Sequence, residues 1–234
     1  IRHHGGSEAS GPGVEATSQY APVWSLGPVV GSMLGIKLTS IHSTINGFIM
    51  QSVRAALGEL LSKIDRPGNF HVSGHFAIHP PNLEVEGVGP VARPLLETQA
   101  KALIDIAEQA PYGRGTETLV DTQVRRTWQI DANRLNLSGQ HWQADLDALV
   151  ERIRQGLGVA GRVQAQLYKL LIYDAGSFFT PHRDTEKVDR MFATLVVVMP
   201  GRYTGGALLV RHRGEEARID LQSDEPAVAS FAAF

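Results

Sequence analysis

Leu167-Tyr168-Lys169-Leu170-Leu171-Ile172-Tyr173-Asp174-Ala175-Gly176-Ser177-Phe178-Phe179-Thr180-Pro181-His182-Arg183-Asp184 is the stretch on which the reading of the fold turns. It opens with a strand-length apolar run ending in an aromatic residue. A Gly-containing turn follows, and then a second segment that carries a histidine and a carboxylate. In extended backbone His182 and Asp184, two residues apart, point the same way, while Arg183 between them points to the other face. One imidazole nitrogen and one hard anionic oxygen suit a borderline divalent ion. A second histidine from a facing strand would complete a two-His, one-carboxylate face with three positions open. Taken alone, His-x-Asp is a short spacing of common residues that as readily marks a surface hydrogen bond.

Downstream of Gly161 the texture is all-β: Val163 to Tyr173, Met191 to Met199, Ala207 to Arg211, Glu216 to Leu221 and Pro226 to Ala233 are short apolar or alternating runs separated by turn residues. Upstream, three stripes of helical period precede them. Ile49, Val53, Ala56, Leu60 and Ile64 follow a plausible N-cap at Asn46. Leu96, Ala100, Leu103 and Ala107 lie within Pro94 to Ala110, and Trp142, Leu146, Leu149 and Ile153 lie within about Ser138 to Gly156. Ala110 to Gly115 reads as a loop and Leu119 to Ile130 as extended chain. Helices followed by a run of strands predict an α+β domain in which helices brace one face of a rolled sheet. Residues 1–44 are rich in Gly, Ser, Pro and Thr and read as a flexible segment. Residues 45–160 read as a helix-rich support region with a few strands, and 161–234 as the β-core.

Phe70 to His79 alternates cleanly, with Phe70, Val72, Gly74, Phe76 and Ile78 on one side and His71, Ser73, His75, Ala77 and His79 on the other. On a helix, histidines at intervals of four would share a face and suit zinc. On a strand they are ~13 Å apart, too far to share one ion easily. Gly74 and the period of two favour the strand.

The 22 basic and 24 acidic residues leave a net charge of −2, so no summed positive field attracts nucleic acid or an anionic membrane. A peptide or small molecule is the expected partner. Ala21 to Ile36 is broken by Pro, Gly and Ser and falls short of a bilayer span, and no secretory signal pattern opens the chain. With no cysteine in the sequence, any metal must use His and carboxylate, and a reducing, cytoplasmic setting is expected.

The context of His182-Arg183-Asp184 resembles the 2-oxoglutarate/Fe(II) oxygenase superfamily, prolyl-4-hydroxylase-like branch, over roughly residues 160–234. Ile172-Tyr173-Asp174-Ala175-Gly176 leads to the His-x-Asp, Met191 to Met199 is similar to the next core strand, and Gly205-Gly206-Ala207-Leu208-Leu209-Val210 resembles the family's Gly-Gly turn into another. The resemblance implies a double-stranded β-helix (jelly roll, cupin-like) with His182 and Asp184 as iron ligands and Tyr173 placing its hydroxyl on a 2-oxoglutarate carboxylate. Lys169, four residues earlier on the same strand face, either contacts the cosubstrate or snorkels at the strand end. Phe178 and Phe179 either wall a substrate pocket or pack the core.

The implied reaction consumes O2 and 2-oxoglutarate, releases succinate and CO2, and hydroxylates a C–H bond; ascorbate is compatible as an auxiliary reductant. Retention of Asp184 argues against a halogenase. The family's second histidine and its basic anchor for 2-oxoglutarate are expected beyond Phe234, so the expectation is a core cut short before its third iron ligand and inactive as it stands. His212, near a turn, reads as exposed. Two other readings stay open: a non-catalytic cupin-like binding module, and a zinc hydrolase built on His71, His75 and His79.

Overall fold

The computed structural model describes residues 15–18, 31–41, 68–114, 117–120, 123, 125–183, 189–201 and 203–234. In chain order the first strands are β1 (Glu15–Ser18), β2 (Gly31–Ile41), β3 (Val72–Ala77), β4 (Asn82–Val85), β5 (Gly89–Pro90), β6 (Glu108–Gln109), β7 (Tyr112–Arg114) and β8 (Glu117–Leu119). They continue with β9 (Arg125–Arg126), β10 (Trp128–Asp131), β11 (Leu135–Ser138), β12 (Arg162–Tyr173), β13 (Phe178–Arg183), β14 (Met191–Val198), β15 (Leu208–His212), β16 (Glu215–Ile219) and β17 (Val228–Ala233). Two α-helices, α1 (Glu97–Ile106) and α2 (Trp142–Gly156), lie among the described residues.

Strands therefore dominate, and most of them form two antiparallel sheets. The larger has seven strands in the order β3-β17-β14-β2-β12-β10-β6, and the smaller has five in the order β16-β15-β1-β13-β9. Alternation along each strand assigns the two faces of the large sheet. Leu34, Ile36 and Leu38 of β2, Leu170 and Ile172 of β12, Ala193, Leu195 and Val197 of β14, and Phe231 of β17 belong to the main core. That core also takes the apolar stripes of the helices: Leu103 from α1, and Trp142, Leu149, Val150 and Ile153 from α2. On the opposite face, Val196 and Val198 of β14 and Ala232 of β17 meet Val210 of β15 and Ile219 of β16. The two sheets thus face one another across a second, smaller apolar cluster, a sandwich braced by helices on its outer side.

The helix expected over 94–110 is shorter at both ends, Glu97–Ile106, with β6 in place of its expected last turn, and that expected over 138–156 begins at Trp142. Leu96 stands 53% exposed just ahead of α1, so the stripe begins at Ala100. The helix expected over 46–64 lies outside the described residues. Among the described residues between 68 and 160, nine short strands, β3 to β11, stand beside the two helices, while residues 45–67 of the expected support region lie outside the described residues. The expected loop at 110–115 contains β7, paired antiparallel with β8.

The larger correction concerns residues 1–44. Within them β2 is an eleven-residue strand in the middle of the large sheet, paired with β12 on one side and β14 on the other. Its glycines and serines resemble linker composition. A central strand, however, has its backbone groups paired on both sides, and the buried period-two set Leu34, Ile36 and Leu38 supplies its anchoring. β1 likewise sits between β13 and β15 in the small sheet.

Among the described residues no helix is long and apolar enough to cross a membrane. If β2 anchors the main core as described, Leu38→Ala, at a fully buried position, will cost about 2–5 kcal/mol in urea unfolding. Gln166→Ala, on the exposed edge of the same strand pair, will change stability by less than about 0.5 kcal/mol. Equal, small effects at both positions would contradict the placement of β2.

Candidate functional site

β12 and β2 carry the first group of candidate residues. Their register runs Leu167↔Ile36 and then Lys169↔Gly35, so β12 holds one extra residue, Tyr168, at this point. A bulge of this kind re-aims side chains. Here it leaves Tyr168 beside Lys169, and both lysines of the strand pair approach its ring: Lys37 Nζ lies 3.7 Å and Lys169 Nζ 4.7 Å from the ring centroid. Lys169 also donates to Gln129 Oε1 of β10 at 3.1 Å. By alternation with Leu34, Ile36 and Leu38, Lys37 is on the face turned toward the small sheet, and it is buried at 7% exposure.

Gly35 is what lets the lysine pass. A Cβ there would sit 3.3 Å from Lys169 Cγ, so a larger residue would push that side chain aside. The aromatic face stabilises both ammonium groups, and two cations at one ring, Lys37 buried and Lys169 half-buried, make a position that attracts an anion. Tyr173 follows on the same face, half-buried and ~13 Å further along the strand.

β13 carries the second group. Its register with β1 runs Ala16↔His182 and Ser18↔Phe179, three residues on β13 against two on β1. The extra residue falls at Thr180-Pro181, where a proline, lacking an N–H for the ladder, is tolerated. It also reverses the parity, so Phe179 and His182 come together with ring centroids 3.5 Å apart and planes at 18°. His182 Nδ1 is 3.0 Å from the carbonyl of Thr180. A carbonyl only accepts, so this contact calls for the proton on Nδ1, and in the neutral ring Nε2 is then the nitrogen that can bind a metal. Asp184, its expected partner, lies outside the described residues. Phe179, which stacks on this ring, is buried, and Phe178, the residue before it on the strand, is half-buried.

The histidines of β3 behave as the strand period requires. His75 Nδ1 is 2.9 Å from Ser230 Oγ, its cross-strand neighbour on β17. His79 lies past the strand end, where its backbone N–H donates to Asp145 Oδ2 of α2 at 2.6 Å and its Nδ1 lies 3.0 Å from the same oxygen. His71 packs against Phe70, and burial lowers its pKa. The three therefore point to three different partners. Among the described residues no three His, Cys, Asp or Glu side chains are grouped to hold a metal. His212 is half-buried and stacked on Phe70 at 5.9 Å, a correction to its expected exposure.

Sequence reasoning reached His182, Lys169 and Tyr173 but missed Lys37. Its signal was the alternation Leu34, Ile36, Leu38, which places Lys37 opposite the core. Compared with family models, curated proteins and solved structures, the chain matches none.

The His79 backbone N–H, first among the contacts to Asp145, holds that carboxyl below the usual carboxylate range. A depressed carboxylate stabilises the fold fully above its unfolded pKa of about 3.9, and the contribution is lost as pH falls through the lowered folded value. Asp145→Ala should then destabilise by about 1 kcal/mol at pH 7, with the gap to the parent chain closing as pH falls through the lowered folded value. A gap that persists unchanged in strong acid would contradict this role.

Proposed function

We propose that this chain carries the core of an Fe(II)- and 2-oxoglutarate-dependent dioxygenase, related to the prolyl-4-hydroxylases, that hydroxylates an unactivated C–H bond of a peptide or small-molecule substrate. The finer fold belongs to the same proposal: two facing antiparallel sheets support a double-stranded β-helix of the jelly-roll type. The observation that carries the reading is the meeting of Lys37 and Lys169 at the Tyr168 ring, on the sheet face turned inward. A dicarboxylate cosubstrate would be held by such a concentration of positive charge inside a mostly apolar space.

His182 fits the metal through its donor chemistry: with Nδ1–H donating to the Thr180 carbonyl, Nε2 is the nitrogen a metal would use. With Asp184 it would hold Fe(II), and the bound iron and 2-oxoglutarate supply the oxidising chemistry. The work of the chain is to bind and exclude. Lys169 and Lys37 neutralise the dianion, and Gln129 orients Lys169 through its 3.1 Å hydrogen bond. Tyr173 offers a hydroxyl further along the same face. Leu171, buried between Lys169 and Tyr173 on that face, keeps water from the dianion. Phe179, stacked on His182, walls the approach from β13. Ascorbate fits this chemistry as an auxiliary reductant.

A non-catalytic barrel that binds an anion is the second reading, and the same lysine pair favours it. Anaerobic titration with Fe(II) and 2-oxoglutarate separates the two. In a chain carried past Phe234 to the expected second histidine, the oxygenase reading predicts a visible charge-transfer band that disappears in His182→Ala. It also predicts a 2-oxoglutarate affinity weakened about tenfold or more in Lys169→Met, the worth of a charged hydrogen bond. Binding of 2-oxoglutarate with no dependence on metal or His182 would favour the binding module. No band and no binding would end the oxygenase proposal.

A further inference from the structure

The contacts around β13 lead from His182 to a buried guanidinium. Phe179, on which the imidazole stacks, is 7% exposed, and Arg125 of β9 is 5% exposed. The two are direct cross-strand partners, and the Arg125 guanidinium carbon lies 4.1 Å from the Phe179 ring centroid. Arg125 Nη1 is tied in turn to the Pro111 carbonyl at 2.8 Å. A guanidinium is planar and offers both a flat face and a fixed fork of donors, so anchoring one nitrogen also orients the plane laid over the ring.

We propose that Arg125 and Phe179 are positioning residues for His182, fixing the plane of its imidazole and thereby which nitrogen it presents. The inference rests on the reading of His182 as the metal-holding histidine and adds the device that orients it. The stack fixes the tilt of the ring, and the Thr180 carbonyl selects between the two faces that a half-turn would exchange. Either contact alone leaves one rotation open. With both in place the proton is on Nδ1 and Nε2 points one way before any ligand arrives. Arg125 acts by holding Phe179, not by touching the metal. A lysine there would keep the charge but lose the plane, and a methionine would fill space with neither.

The test uses the full chain with two independent readouts. The first is the imidazole 15N shifts of His182 at alkaline pH without metal, which report its tautomer. The second is a titration with Co(II) alone. The parent chain is expected to show the Nδ1–H tautomer. Arg125→Met and Phe179→Leu are expected to show mixed tautomers and about tenfold weaker Co(II) binding, as for other residues that orient a metal ligand. Phe179→Tyr, which keeps the ring face, should retain both properties.

An Nε2–H tautomer in the parent chain overturns the proposal. So does an unchanged tautomer in the variants accompanied only by a lower melting temperature, which would mark a structural role. If one variant fails to fold, the other carries the test. If Co(II) binding does not depend on His182 in the parent chain, the metal reading fails, and the tautomer shifts still decide whether Arg125 and Phe179 position the ring.

Discussion

The two hydrogen-bond ladders of β2 are the constraint on which the rest of this structure depends. On one side β2 pairs with β12 from Gly31↔Tyr173 to Ile41↔Arg162, and on the other it pairs with β14 from Met33↔Val198 to Thr39↔Met191. Without it, two of the longest strands would each present an unpaired edge in the interior, at about 1–3 kcal/mol for every backbone group left without a partner. With it, one seven-stranded sheet presents Leu34, Ile36 and Leu38 to the helices and Lys37 to the small sheet. The core and the charge between the sheets are therefore two faces of the same strand.

Local departures from regular pairing turn this scaffold into a site. In β12 the extra residue Tyr168 sets an aromatic ring beside Lys169 and within reach of Lys37. In β13 the extra residue at Thr180-Pro181 sets Phe179 beside His182. In an unbroken strand the parity would carry each of these neighbours to the opposite face. Both bulges bring a ring to a polar group whose orientation or charge the proposed chemistry uses. The same physics explains the dispersal of His71, His75 and His79. Four residues of extended chain separate them beyond reach of one ion, and each has settled on its own neighbour.

Much of the framework was legible in the sequence. The runs after Gly161 correspond to β12, β14, β15, β16 and β17: β14 and β17, with a face in each of two apolar clusters, are apolar at nearly every step, and the others bury one face and alternate. The stripes of α1 and α2 were legible because each buries a single face. β2 was not, because Gly31, Ser32, Gly35 and Ser40 interrupt its apolar pattern while its pairing partners lie more than a hundred residues away. Lys37 was lost with it. Bulges leave no periodic signature, so the Phe179–His182 stack and the place of Arg125 follow only from the register. Asp184 and the stripe at 46–64 lie outside the described residues and stand as read from sequence.

Amide hydrogen exchange of residues 34–38, measured beside β14 in the same protein, tests the central placement most directly. The account predicts that these amides exchange as slowly as those of Leu195 to Val197, opening only with the global unfolding of the sheet. Exchange at the rate of an unstructured peptide would contradict it, removing β2 from the sheet and Lys37 from the site.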